Sequence, residues 1–433
     1  MDKLEIEIQI RKTLKPSTPT PYLCRSFNLS LFDQCAVRMY IPVLLHYLPG
    51  SMDGVDERCD KLQKSLAETL TKFYPLAGRF SKDDLTIQCN DEGVEYVETK
   101  VNADLAKFLH QGPKIELLND FLPLKLSVDP SSSPLLGVQM NIFNCGGLVM
   151  GIQMSHILAD AFTLATFLKE WAHISQTGTT KGCLSSFGRL SSFFPTRVLP
   201  VSQFSPHFNS SAKIIRKRFV FDALAITELK DKIDSSATSK KPSRVVVITS
   251  LIWKVLMGIS SAKHGHSGNS SLLIPINLRG KSNVPSIEHA LGNFCISAIS
   301  TFESNQSRKE LSDFVNLIET ATRETSAAIG KANIDDIVSM IGNCSTLGQK
   351  GEDIYFSTSW CRLPWYEADF GWGKPCWVSN VLGNMSRVIN LIDTRTGDGI
   401  EAWVSLEEND MIEFERNLDI LTFCSPKKQQ LIP

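Results

Sequence analysis

The stretch Leu136-Gly137-Val138-Gln139-Met140-Asn141-Ile142, followed by Asn144-Cys145-Gly146-Gly147 and then by Leu148 to Met154, decides the fold. Leu136, Val138, Met140 and Ile142 alternate with their neighbours, a period of two that predicts a strand. The Asn-Cys-Gly-Gly string supplies turn chemistry, and the apolar run after it predicts a return strand. Past Ser155 and His156 the period changes, with Leu164, Phe167, Leu168 and Trp171 recurring at helical spacing. A strand pair running into a helix is mixed α/β texture. It places His156 where a strand ends and Asp160 just before a helix begins, junctions from which side chains can enter a cavity.

The spacing His156-x-x-x-Asp160 by itself fits two readings. One is a catalytic pair. The other is a satisfied buried histidine beside an aspartate that caps the helix starting near Ala161.

Upstream, Glu57 to Phe73 has helical character, and Tyr74-Pro75-Leu76-Ala77-Gly78-Arg79 stops it. The acidic run Asp53–Asp60 reads as a loop without calcium-loop spacing. Strand-like runs lie at Leu85–Cys89 and Val94–Thr99, and residues 1–8 alternate apolar and charged like a strand. The segment 178–211 is rich in Ser, Phe, Pro and Thr and has no sustained period, so it reads as a crossover linker. Beyond it, Val245 to Met257 predicts a buried helix and Leu272 to Asn277 a strand. A length of 433 residues suits two cores better than one. The expected organisation is a first domain over 1–177 carrying His156, the linker 178–211, and a second domain over 212–433.

Composition excludes several classes. With 45 basic and 46 acidic side chains the net charge is −1, which makes no electrostatic case for nucleic acid or an anionic membrane surface. The most apolar stretch, Val245 to Ile259, is roughly five residues short of a bilayer span and carries Lys254. The N-terminus lacks the apolar core of a signal peptide. Eleven cysteines without paired spacing read as reduced thiols, which fits a cytosolic location, and no metal site is expected. His264 and His266 are two ligands at most, too few for a metal.

Three further segments bear on His156: Phe73 to Arg79, Asn277-Leu278-Arg279 followed by Leu291-Gly292-Asn293, and Asp369-Phe370-Gly371-Trp372-Gly373-Lys374-Pro375. Together with Ser155-His156-Ile157-Leu158-Ala159-Asp160-Ala161, in this order and spacing, they resemble the BAHD family of plant acyl-CoA-dependent acyltransferases. The likeness runs from Lys15-Pro16-Ser17 to Gly397-Asp398-Gly399-Ile400-Glu401-Ala402. Within the family the alkaloid acetyltransferases are most similar, through Phe356-x-x-Ser359-Trp360-Cys361-Arg362 and Asp393-x-Arg395-x-Gly397-Asp398-Gly399.

The resemblance implies an α/β fold of two chloramphenicol-acetyltransferase-like domains, each of mixed sheet and helices, with the active-site channel at their interface. It implies that His156 takes the proton from an acceptor hydroxyl, and that Asp160 turns away to pair with Arg279. Asp369 is often named beside the histidine, in a loop shaped by Gly371 and Gly373. The Trp372 indole either donates to an oxyanion or packs along the channel. Ser243 and Arg244 are the implied coenzyme A contacts, although Val246 stands where relatives often have Glu. Acetyl-CoA is the implied co-substrate, with no permanently bound cofactor. A small-molecule alcohol, of monoterpene indole alkaloid type, is the implied acceptor for a monomeric enzyme. The same base acting on water would make a thioesterase or esterase. Malonyl transfer would need a cation for the free carboxylate, and Ala290-Leu291-Gly292-Asn293-Phe294 departs from the string of some malonyl-using relatives.

Overall fold

The alternating run pairs as its pattern requires. Leu136–Phe143 and Leu148–Ser155 form an antiparallel hairpin, in register from Leu136↔Met154 to Ile142↔Leu148. The computed structural model describes residues 4–424 apart from 50–53, 113–114, 124–132, 179–187, 198, 200–211, 234–240, 266–267, 282–286, 305–309, 346, 348–351 and 382–384. Most of the linker 178–211, together with His266, Asp53 and the N-terminal residues 1–3, lies outside the described residues.

The hairpin sits inside a six-stranded sheet. Its order is Ile6–Leu14, Val94–Val101, Leu136–Phe143, Leu148–Ser155, Tyr40–Tyr47 and Trp377–Ser379, with one parallel pair. A second six-stranded sheet runs Cys295–Phe302, Ser270–Asn277, Asp353–Ser359, Val388–Asp393, Ile400–Glu407 and Ile214–Phe221, with two parallel pairs. Both sheets are therefore mixed, as expected of the two domains. The helices Val55–Lys72 and Ala161–Thr177 bury Leu62, Leu66, Leu70, Leu164, Phe167 and Trp171 in the core of the first sheet. Trp171 Nε1 donates to Ser65 Oγ at 3.0 Å where the two helices meet, so the one polar atom of that large ring is satisfied.

Three expectations change. The acidic run is not a loop: the helix Val55–Lys72 starts inside it and carries Asp56 and Glu57 in its first turn, where carboxylates meet the positive end of the helix dipole. The division at residue 212 is not the division between cores, because Trp360, Trp365, Phe370 and Trp377 belong to the first core and Trp377–Ser379 completes the first sheet. Finally, the apolar helix spans Arg244–His264, 21 residues, longer than the apolar run. By length and composition it could cross a membrane, but more than half of its apolar stretch is buried. There Trp253 Nε1 donates to Ser270 Oγ at 2.9 Å, and Lys254 reaches Asp419 at 3.1 Å. It is the core helix of the second sheet.

Candidate active site

His156 follows the last residue of the strand Leu148–Ser155, and both of its backbone polar groups are fixed. Its N–H donates to Met39 O at 2.8 Å, beside the strand Tyr40–Tyr47. Its carbonyl accepts from Asn293 Nδ2 at 2.7 Å, so the second half of the chain grips the same peptide. The ring is half-buried and forms part of a cavity wall. Nδ1 is enclosed and makes no hydrogen bond among the described residues, which leaves Nε2 as the nitrogen that meets the cavity. Burial pushes the imidazole below its usual pKa, and the charge of Asp160 opposes that without reversing it. The ring is thus neutral at pH 7, the state a proton acceptor needs.

Asp160 satisfies both halves of its sequence reading except a relay. It caps the helix Ala161–Thr177, accepting Thr163 N–H at 2.9 Å. It also pairs with Arg279, whose Nη1 stands 2.6 Å from Oδ2, with the two side chains 4% and 12% exposed. The Phe294 N–H at 3.2 Å and the Thr163 hydroxyl at 2.9 Å take further lone-pair positions. Burial pushes the Asp160 carboxyl up, and Arg279 with these donors outweighs it and holds the group below the usual carboxylate range. Its oxygens are spent on Arg279 and the helix start. Arg279 also donates to the Ala290 and Gly292 carbonyls at 2.9 Å each, which shapes the Leu291-Gly292-Asn293 turn.

One residue of this site is absent from the motif reading. Asp33, 3% exposed, completes a capping box with Ser30 at the start of the short helix Leu31–Gln34. Its Oδ1 accepts Asn293 N–H at 2.7 Å and Asn293 Nδ2 at 2.9 Å, so Asp33 holds the amide that holds His156. The only sequence signal was Ser30-x-x-Asp33, which announces a helix start and nothing about a partner 260 positions away. Asp33→Ala strands two buried donors on Asn293. It is expected to lower kcat roughly 10–10²-fold through misplacement of the ring, with the acetyl-CoA KM nearly unchanged, as steady-state kinetics would read.

The Asp-Phe-Gly-Trp-Gly loop lies elsewhere. Asp369 Oδ1 accepts the N–H of Gly371 at 2.8 Å and of Gly373 at 3.0 Å, and Asp369 is not among the residues lining the cavity. The two glycines have φ of 108° and 107°, a region that side chains with a Cβ avoid. Ser175 Oγ donates to the Phe370 carbonyl at 3.0 Å, which fastens the loop to the end of the helix that Asp160 begins. Asp369 thus ties its own loop, away from the cavity that His156 lines. Trp372 also stays out of the cavity: its indole packs against Tyr47, Phe370 and the Arg58 guanidinium. Its Nε1 is buried and has no hydrogen-bond partner among the described residues.

Ser243 and Arg244 open the helix Arg244–His264. Ser243 Oγ accepts Val246 N–H at 3.2 Å, so the serine is its N-cap. Arg244 donates to Gly397 O at 2.7 Å and to Asp393 at 3.1 Å, drawing the 393–399 turn against the helix start. Neither residue lines the cavity around His156.

That cavity encloses about 350 Å³ and takes its walls from both halves of the chain. Val37, Met39 and Ile41 come from the first half, and Phe356, Trp360 and Val388 from the second. It is large enough for a small organic ligand. A neutral imidazole, held from both sides in the wall of an apolar cleft between two mixed sheets, has the protonation state and the access that a proton acceptor needs.

Comparisons with known proteins agree with the class that this site defines. A model of the Transferase family matches residues 4–421. Stemmadenine O-acetyltransferase of Catharanthus roseus is 33% identical over 94% of this chain and 95% of its own. Acetyl-CoA-benzylalcohol acetyltransferase of Clarkia breweri is 32% identical over 98% of this chain and 100% of its own. The crystal structure of vinorine synthase superposes with a TM-score of 0.85 at 29% identity, covering 98% of this chain and 100% of that one. The chain belongs to the Transferase family of BAHD acyl-CoA-dependent acyltransferases and is an enzyme of that kind.

Proposed function

We propose that the protein transfers an acetyl group from acetyl-CoA to a hydroxyl of an apolar plant metabolite, of the alkaloid kind, by direct attack. His156 carries the reading: its Nε2 meets the cavity and its ring is held neutral. Nε2 takes the proton of the acceptor hydroxyl as that oxygen bonds to the thioester carbonyl carbon. The tetrahedral intermediate then collapses, the carbon–sulfur bond breaks, and the departing thiolate takes the proton back from the imidazolium. The products are an acetate ester and free coenzyme A. General-base help of this type is worth about 10²–10⁴-fold.

The acetyl donor is supported by the benzyl alcohol relative, whose name specifies acetyl-CoA. It is supported further by the lining, in which the described residues include no Lys or Arg to meet a malonyl carboxylate. The alkaloid acceptor is supported by the stemmadenine relative, while the benzyl alcohol relative marks smaller neutral alcohols as the alternative. Ser243 and Arg244 are proposed to meet a coenzyme A phosphate, because a helix N-terminus and a guanidinium both favour an anion. A mass-spectrometric panel of acetyl-, malonyl- and hydroxycinnamoyl-CoA against hydroxylated indole alkaloids tests the reading. Acetyl esters are expected, and turnover with malonyl or hydroxycinnamoyl donors alone would refute it.

The depressed pKa of His156 fixes the pH dependence. The base works when neutral, so kcat/KM falls as pH drops through the folded-state pKa and is flat above it. Because burial lowers that pKa, the acid limb is expected below pH 6.5 in a pH–rate profile with a non-ionising alcohol. A limb centred above 6.5 would contradict the burial argument.

A further inference from the structure

The lining of the cavity beside His156 is of one electrical kind. Apolar side chains such as Val37, Ile41, Leu363 and Val388 form most of it. Four thiols add to it, and burial pushes Cys35, Cys295 and Cys361 up to about 12 and Cys344 up to about 11, so all four stay protonated. The remaining polar groups, among them Asn277, Ser297, Thr358 and Ser359, are neutral and suited to hydroxyl, ester or carbonyl oxygens. Asp160 is the one carboxylate among the described lining residues, and its charge is consumed by Arg279.

The aromatic rings of the wall are partly committed as well. Beside the His156 imidazole, the aromatic rings among the described lining residues are Phe32, Phe162, Phe356 and Trp360. The Arg279 guanidinium covers Phe162 at 4.3 Å, Trp360 packs against Trp365 at 5.1 Å, and Phe32 is edge-on to Phe194 and Phe294. A cation leaving water for this cleft would exchange its hydration for ring faces and neutral dipoles, with no uncommitted carboxylate among the described lining residues, and desolvating an unpaired charge costs more than such contacts return.

We infer that the acceptor enters this cavity uncharged, as an apolar alcohol whose other polar atoms are neutral oxygens, and that an amine-bearing acceptor enters only as its free base. The inference deepens the acyl-transfer reading and relies on it for the catalytic readout, but not for binding. It turns the titration of an alkaloid nitrogen into a determinant of specificity: protonation in bulk solvent removes the competent form before His156 is met.

Two isosteres test it. The para-tert-butyl and para-trimethylammonio derivatives of benzyl alcohol have the same shape and differ by one charge. Binding to the full chain is followed by quenching of tryptophan fluorescence, since Trp360 lies in the wall. Acetylation with acetyl-CoA is followed by mass spectrometry. The neutral isostere is expected to bind about 100-fold or more tightly than the cation and to exceed it by a similar factor in kcat/KM. A third alcohol, bearing para-dimethylaminomethyl, should gain about tenfold in kcat/KM relative to the tert-butyl compound for each pH unit gained below the amine pKa. Taking the ratio cancels the titration of His156 itself. Dissociation constants within threefold of each other, tighter binding of the cation, or failure of the neutral isostere to bind would overturn the inference. A binding difference without acetylation of either compound would leave it standing and count against acyl transfer instead.

Discussion

His156→Ala is expected to reduce kcat for acetyl transfer by about 10²–10⁴-fold, with the acetyl-CoA KM and the thermal midpoint little changed. The small effect on folding follows from where the bonds are. The two hydrogen bonds that fix this residue, to Met39 O and from Asn293 Nδ2, belong to its main chain and survive the substitution. Nδ1 of the ring makes no hydrogen bond among the described residues, and the ring stands in the cavity wall, so its removal widens the cavity without breaking such a bond. Steady-state kinetics beside a melting curve separates the two effects. A variant that retains full transfer would remove the general base from this reaction.

Asp160→Ala is expected to act the other way round, through stability first. It leaves the Arg279 guanidinium, 4% exposed, without its carboxylate, a change that costs about 3–5 kcal/mol when one partner of a buried pair is removed. It also deletes the cap of the helix Ala161–Thr177, typically about 1 kcal/mol. Urea unfolding should show the loss in the midpoint. The double variant Asp160→Ala/Arg279→Ala should be clearly less damaged than the sum of the single ones, because no charge is then stranded. If Asp160 were a relay partner, its loss would instead lower kcat at unaltered stability. The lone pairs already taken by Arg279, Thr163 and Phe294 argue for the first outcome.

The parts of this fold that could be read in advance are those whose signal is local. Leu136 to Ile142 shows its strand through alternation and Leu164 to Trp171 its helix through spacing, because both signals lie within a few neighbouring residues, although the two hairpin strands are in fact buried on both faces. Ser155 to Ala161, Arg279 and Leu291 to Asn293 pointed to one site, and they do converge on His156. The parts that stayed hidden depend on distant partners. Asp33 looks like an ordinary capping residue until Asn293 is folded onto it. Trp377–Ser379 is three residues long, too short for any period to show that it closes the first sheet. Trp372 follows a glycine with positive φ, so the direction of its ring is set by a loop conformation that the letters do not specify. The Arg244–His264 helix outran its apolar core because Lys263 and His264 continue it to Gly265, its left-handed cap.

Direct transfer has a measurable signature in the fate of the acetyl group. The protein is mixed with acetyl-CoA, with and without para-tert-butylbenzyl alcohol, and coenzyme A release, acetyl ester, free acetate and intact-protein mass are recorded together. Direct attack assisted by His156 requires coenzyme A to appear only with the alcohol, one acetyl ester for each thiol released, and no mass gain on the protein. Acetate released without alcohol, or an acetylated protein chasing into product, would contradict it.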